Sequence, residues 1–188
     1  MGYSLFWRIP ALILIALLLE RDRFNPFRPG KGDLPVLALC LPVLCLTGFL
    51  TALAAQVTGL FPGKEIPAPR GSFPWTSVIL TSLCAGYLEE GYFRLYLPRR
   101  FLNAGLGTLK SFAVPVLVFG LLHAWEGPWG FANALLAGLF LSLVYNKTAS
   151  FHGIALAHGL YNTLVYLAAS RSLGKGLENT VQGFAAGP

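Results

Sequence analysis

Charge is the scarcest property of this chain. Only 12% of its 188 residues are Asp, Glu, Lys or Arg, about half the share of a typical soluble domain. Acids are the rarer sign, eight in all: Glu20, Asp22, Asp33, Glu65, Glu89, Glu90, Glu126 and Glu178. Cysteine is scarce too. Cys40, Cys45 and Cys84 form no C-x-x-C pair and all lie in apolar runs, so they read as small buried apolar side chains. No A-x-A-like cleavage site follows the first apolar run, which continues into "LLLERDR"; that run is expected to be an uncleaved first span. No internal repeat is evident.

What is present is apolar. Hydrophobic residues make up 55% of the chain and the mean hydropathy is +0.61. Such a composition predicts an all-α, polytopic membrane helix bundle. Six transmembrane helices are expected, near Tyr3–Leu19, Leu34–Leu60, Trp75–Leu97, Ser111–Trp125, Phe131–Tyr145 and Phe151–Ala169. The chain reads as one domain over 1–188, with a Gly-rich, loosely ordered tail from Arg171 to Pro188. Arg8, inside the first run, is expected to snorkel to the interface.

The net charge of +6 is not a nucleic-acid signal, because the basic residues fall mainly in short loops between apolar runs. The loops after spans one, three and five hold Arg21, Arg23, Arg28, Lys31, Arg99, Arg100, Lys110 and Lys147. The opposite face holds Arg8, Lys64, Arg70, Arg171 and Lys175. The bias predicts that the first face is cytoplasmic.

Two carboxylates lie deep in an apolar run, within "LEEGYFR". A charged side chain at mid-bilayer costs about 2.5–3.5 kcal/mol on insertion scales, so the pair needs either partners or a task. Arg94 is four residues after Glu90, on the same helix face, and can pair with it. Glu89 is turned about 140° from Arg94 at 100° per residue and has no local partner. Other polar residues within spans are His123, at the end of "FGLLH", and His158 with Asn162 in "HGLYN", on one face at i and i+4. Measured from the basic face at ~1.5 Å per residue, Glu89, His158 and His123 lie roughly 13, 16 and 20 Å deep. Glu89, His123, His158 and Asn162 can therefore converge. His152 starts the sixth run and reads as an interfacial residue without a catalytic part. Ala134 with Gly138, and Ala155 with Gly159, are small-x-x-x-small pairs suited to close helix packing.

These motifs carry a resemblance. "EEGYFR" fits E-E-x-x-x-R, "FGLLH" fits F-x-x-x-H and "HGLYN" fits H-x-x-x-N. In this order, over about 77–167, they resemble the CAAX-protease and bacteriocin-processing family (CPBP, or Abi) of intramembrane endopeptidases. Leu95 departs from the pattern, standing where many relatives have Gly. The resemblance implies a glutamic-type peptidase. Glu89 would be the general base on a water, assisted by His123. His158 and Asn162 would stabilise the oxyanion. Glu90 and Arg94 would fix the helix and orient Glu89. It further implies a membrane-associated protein or peptide substrate, a multi-pass protein of the lipid bilayer, and for a chain this short a bacterial cell-membrane member, of the kind that trims C-terminal sorting tails.

Two rivals stand beside this reading. One is a zinc-dependent CAAX-type protease, with His123, His158 and Glu89 as ligands. Glu90 would then have to be the base, although Arg94 holds it, and no H-E-x-x-H is present. A site without cofactor or metal is therefore expected. The other rival is a proton-coupled transporter or channel subunit using the same residues as a relay. It wants broken helices, for which the sequence offers Pro115 but no paired half-helices.

Overall fold

Without water to bond exposed backbone, a run of apolar residues satisfies its own N–H and C=O groups by coiling into helix. The computed structural model, which describes residues 2–21, 29–60 and 75–185, follows that rule: among the described residues every long element is helical. The elements are α1 (Gly2–Arg21), α2 (Asp33–Thr58), α3 (Trp75–Glu90), α4 (Leu97–Asn103), α5 (Thr108–Leu122), α6 (Pro128–Thr148) and α7 (Phe151–Ala185). Because α3 runs through a π-helical turn at Gly91–Tyr96 straight into α4, the seven helices form six rods, one for each expected span. The loops over 22–28 and 61–74, with their Lys and Arg residues, lie outside the described residues.

The sixth rod differs from expectation at its end. α7 continues to Ala185 rather than stopping near Ala169, so the backbone of 171–185 is helical where loose order was expected. α5 passes through Pro115 unbroken, which removes the broken helix a transporter reading would use.

Burial separates the faces. α2 exposes Leu34, Leu39, Leu46, Phe49, Leu50, Leu53 and Val57, while Val36, Cys40 and Leu44 face inward. An outward face this apolar is costly in water and at home in lipid. α2 and α6 are long and apolar enough to cross a membrane. At the centre stands α7, whose Ile154, Ala155 and Ala157 are wholly buried. It packs on α2 and α6 through Val36, Cys40, Leu44 and Leu141, and on α1 and the π turn through Ile15, Leu19 and Leu95.

Candidate active site

α3 and α7 cross where two glycines meet. A Cβ on Gly86 would stand 2.6 Å from the Ala155 carbonyl oxygen and 2.6 Å from the Gly159 nitrogen. One on Gly159 would stand 2.7 Å from Leu83 Cα. Only glycine lets the backbones come this close, and the Ala155–Gly159 pair read from sequence lies at this crossing. The approach carries Glu90, one turn along α3, to His158 of α7.

The result is a chain of polar side chains, buried except at Glu89. Arg94 Nε is 2.9 Å from Glu90 Oε2. His158 Nδ1 donates to Glu90 Oε1 at 2.8 Å, because a carboxylate held by arginine is an acceptor only. His158 Nε2 then faces Glu89 Oε2 at 3.7 Å, too long for a direct hydrogen bond and within reach of one bridging water. Glu90 is wholly buried and Arg94 nearly so. The guanidinium also reaches the Gly138 carbonyl oxygen at 3.5 Å and lies 4.7 Å above the Phe119 ring, a cation–π contact. Glu90 therefore has a second partner that sequence spacing did not anticipate: it orients His158 as well as pairing with Arg94.

The π-helical turn after Glu90 helps to bury this chain. An i→i+5 turn widens the helix, and Phe93, Arg94 and Leu95 in succession all point inward.

His123 caps α5. Its Nδ1 donates to the Phe119 carbonyl oxygen at 2.8 Å, since a carbonyl can only accept, and Nε2 makes no hydrogen bond among the described residues. Phe119 lies between the imidazoles, its centroid 4.7 Å from that of His123 and 6.0 Å from that of His158. A cavity of about 310 Å³ opens beside this ring, and Glu89, His123, His158 and Asn162 all line it. The four residues singled out from sequence thus share one cavity. Glu90 and Arg94 stand behind it. His152 is elsewhere, its Nδ1 2.9 Å from the Tyr87 hydroxyl.

Other polar residues on the cavity wall escaped sequence reasoning. Glu126, read as part of a turn, lies in the short 3-10 segment Ala124–Glu126 and lines the cavity. Burial pushes its carboxyl above the ordinary value, His123 partly offsets this, and Glu89 adds to it. Its spacing of three residues from His123 was the available signal. Asn133 Nδ2 donates to the Tyr161 hydroxyl at 3.1 Å. Arg8 does not snorkel away as expected: its Nη1 donates to the Thr81 carbonyl oxygen at 2.9 Å, and its side chain lines the cavity. Among the described residues no group of three or more His, Cys, Asp or Glu side chains is arranged to hold a metal ion.

Among the described residues, a helical bundle with an apolar outer face encloses a pocket lined by carboxylates, imidazoles and amides. The model of the family "Type II CAAX prenyl endopeptidase Rce1-like" matches residues 71–164, half of the chain, and the chain belongs to that family. It is thus a membrane-embedded peptidase of CAAX type. No curated protein and no solved structure matches the chain. The matched segment contains Glu89, Glu90, Arg94, His123, His158 and Asn162, and leaves out α1 with Arg8.

Proposed function

We propose that the protein is an endopeptidase that cleaves a peptide bond near the C-terminus of a membrane-associated chain, using Glu89 as the base on a water. The observation that carries this reading is the position of Glu89. Its carboxylate is partly exposed and faces Nε2 of His158, in the cavity that His123 and Asn162 also line. Glu89 takes a proton from water as the water oxygen attacks the scissile carbonyl carbon. The oxyanion accepts hydrogen bonds from Asn162 Nδ2 and from His158 Nε2–H. That role places a proton on Nε2 while Nδ1 donates to Glu90. His123 Nε2 passes the proton on to the leaving amine as the C–N bond breaks.

In this reading Glu89 is a base of glutamic type and no metal takes part. The purified, active protein is expected to contain no stoichiometric zinc by elemental analysis. Stoichiometric zinc, with activity lost to a chelator and restored by the metal, would replace this mechanism with the metal-dependent one. The direct test of function is incubation of the purified protein with a prenylated peptide ending in a C-a-a-X sequence. Release of a C-terminal fragment, read by mass spectrometry, is expected; an intact peptide at long times contradicts the assignment.

The protein is proposed to cross a bacterial cell membrane several times, with the basic turns around Arg99, Lys110 and Lys147 in the cytoplasm. A cysteine placed at Asn103 should react with a membrane-impermeant reagent only after permeabilisation. Reaction in intact cells reverses the topology.

A further inference from the structure

The cavity is not centred in the bundle. Its wall falls within 78–89 on α3, 133–137 on α6, 158–166 on α7, and 119–126 where α5 ends. These are the first part of α3, the first part of α6, the later part of α7 and the end of α5. Chain direction alternates from rod to rod, so all four lie at one end. The other end is closed. Next along α3 stand Glu90 and Arg94, both buried, with the guanidinium 4.7 Å above the Phe119 ring. Beyond that guanidinium is a second, smaller cavity of about 80 Å³, lined by Arg94 with Pro98, Thr108 and Asn146. Phe119 and Arg94 stand between the two. The first cavity opens instead beside Trp125, which is exposed, and beside Glu126 and Tyr166, which are partly exposed.

The closed end is the basic end. Its turns hold Arg99, Arg100, Lys110 and Lys147, and the connection before α2 adds Arg21, Arg23, Arg28 and Lys31. At the open end the sequence places five Lys and Arg residues, but Arg8 is not a loop charge. Its Nη1 donates to the Thr81 carbonyl oxygen at 2.9 Å and it lines the cavity. Lys64, Arg70, Arg171 and Lys175 remain, so the bias is eight against four. Lys and Arg in short loops hold their end of a bundle in the cytoplasm. The open end carries exposed Trp75 and Trp125, and Trp129 Nε1 donates to Thr58 Oγ1 there at 2.9 Å. Indole rings settle at the level of the headgroups, which puts the mouth of the cavity at a membrane surface.

We infer that the cavity opens to the outer face of the membrane, and that its substrate is a polypeptide segment already carried across, entering from that face rather than from the cytoplasm. The inference rests on the proposed peptidase reading and topology, yet accessibility tests it without turnover. In detergent both faces are reached, so cleavage by the purified protein is indifferent to the side. The test uses Glu89→Gln protein with Cys40, Cys45 and Cys84 changed to Ala. One cysteine is then returned, by Val165→Cys or Tyr166→Cys on the cavity wall, or by Asn103→Cys at the closed end. In spheroplasts a membrane-impermeant maleimide should label either cavity variant, and should spare the Asn103→Cys protein until permeabilisation. Prenylated C-a-a-X peptide added outside should slow labelling of the cavity variants, by about 10-fold at ten times its half-saturating concentration. Cavity variants labelled only after permeabilisation overturn the inference and put the mouth in the cytoplasm. Labelling of all three variants in spheroplasts overturns it by showing a path open to both faces. A peptide that binds the purified protein yet leaves labelling unslowed overturns entry through this mouth. Failure of the catalytic reading looks different: labelling and its protection persist while wild-type protein releases nothing.

Discussion

The two ends of the polar interior are built on opposite terms. At the inner end, Arg94, Glu90 and His158 are buried and engaged with one another at 2.8–2.9 Å. Along the cavity wall, Glu89 is partly exposed, and His123, whose Nδ1 is spent on the Phe119 carbonyl, has no further hydrogen bond among the described residues. A group whose bonds are filled by protein can position a neighbour and has little left for a ligand. A polar group that lines a cavity and keeps bonding capacity can meet a ligand there. The adjacent glutamates fall on either side of this line, in keeping with the i,i+4 spacing that gives Glu90 alone a local arginine.

The largest stability effect should come from the inner end. Glu90→Gln leaves Arg94 buried without its counter-charge, which costs about 3–5 kcal/mol. It should appear as a large drop in melting temperature, or as a failure to accumulate in the membrane. A variant as stable as wild type would mean that the pairing does not hold the fold.

The helix crossing should matter next. Gly159→Ala puts a methyl against the Leu83 backbone, and overpacking of this kind typically costs about 1–3 kcal/mol. Because the crossing sets the Glu90–His158 contact, activity per folded molecule should fall as well. Unchanged activity would separate the crossing from the site.

The smallest effect belongs to the wall. Burial raises the Glu126 carboxyl in the folded protein, so the folded state binds its proton more readily than the unfolded state. The associated stability is fully present below the ordinary carboxylate value and is lost as pH rises through the raised one. Glu126→Gln should therefore raise the melting temperature slightly at neutral pH and leave it unchanged near pH 4. A shift of equal size at both pH values would show that the charge of Glu126 is not its source.

Much of this was legible in sequence because the responsible signals are local. Six apolar runs became six rods, since hydropathy and length decide whether a segment can satisfy its backbone in lipid. Glu90 and Arg94 paired as an i,i+4 spacing allows. Glu89, His123, His158 and Asn162, singled out by motif and depth, line one cavity. The partners missed are those that depend on how rods cross. Glu90 meets His158 across 68 positions of chain, through a contact between two glycines. Arg8 reaches Thr81 across 73, and a hydropathy profile shows only that an arginine lies in an apolar run. The π-helical turn changes the angular register after Glu90, and the uniform 100° per residue used to place side chains does not describe it. Glu126 was hidden by its setting, a Gly-Pro turn that reads as a connection.

The central claim is that Glu89 does chemistry while Glu90 holds structure. It is tested most directly by one comparison: the rate of cleavage of the prenylated peptide by folded wild-type and Glu89→Gln protein, with melting temperature measured on the same samples. The account predicts a loss of about 10²- to 10⁴-fold in rate, the range for removal of a general base, at an unchanged melting temperature. A Glu89→Gln protein that cleaves at the wild-type rate would contradict it.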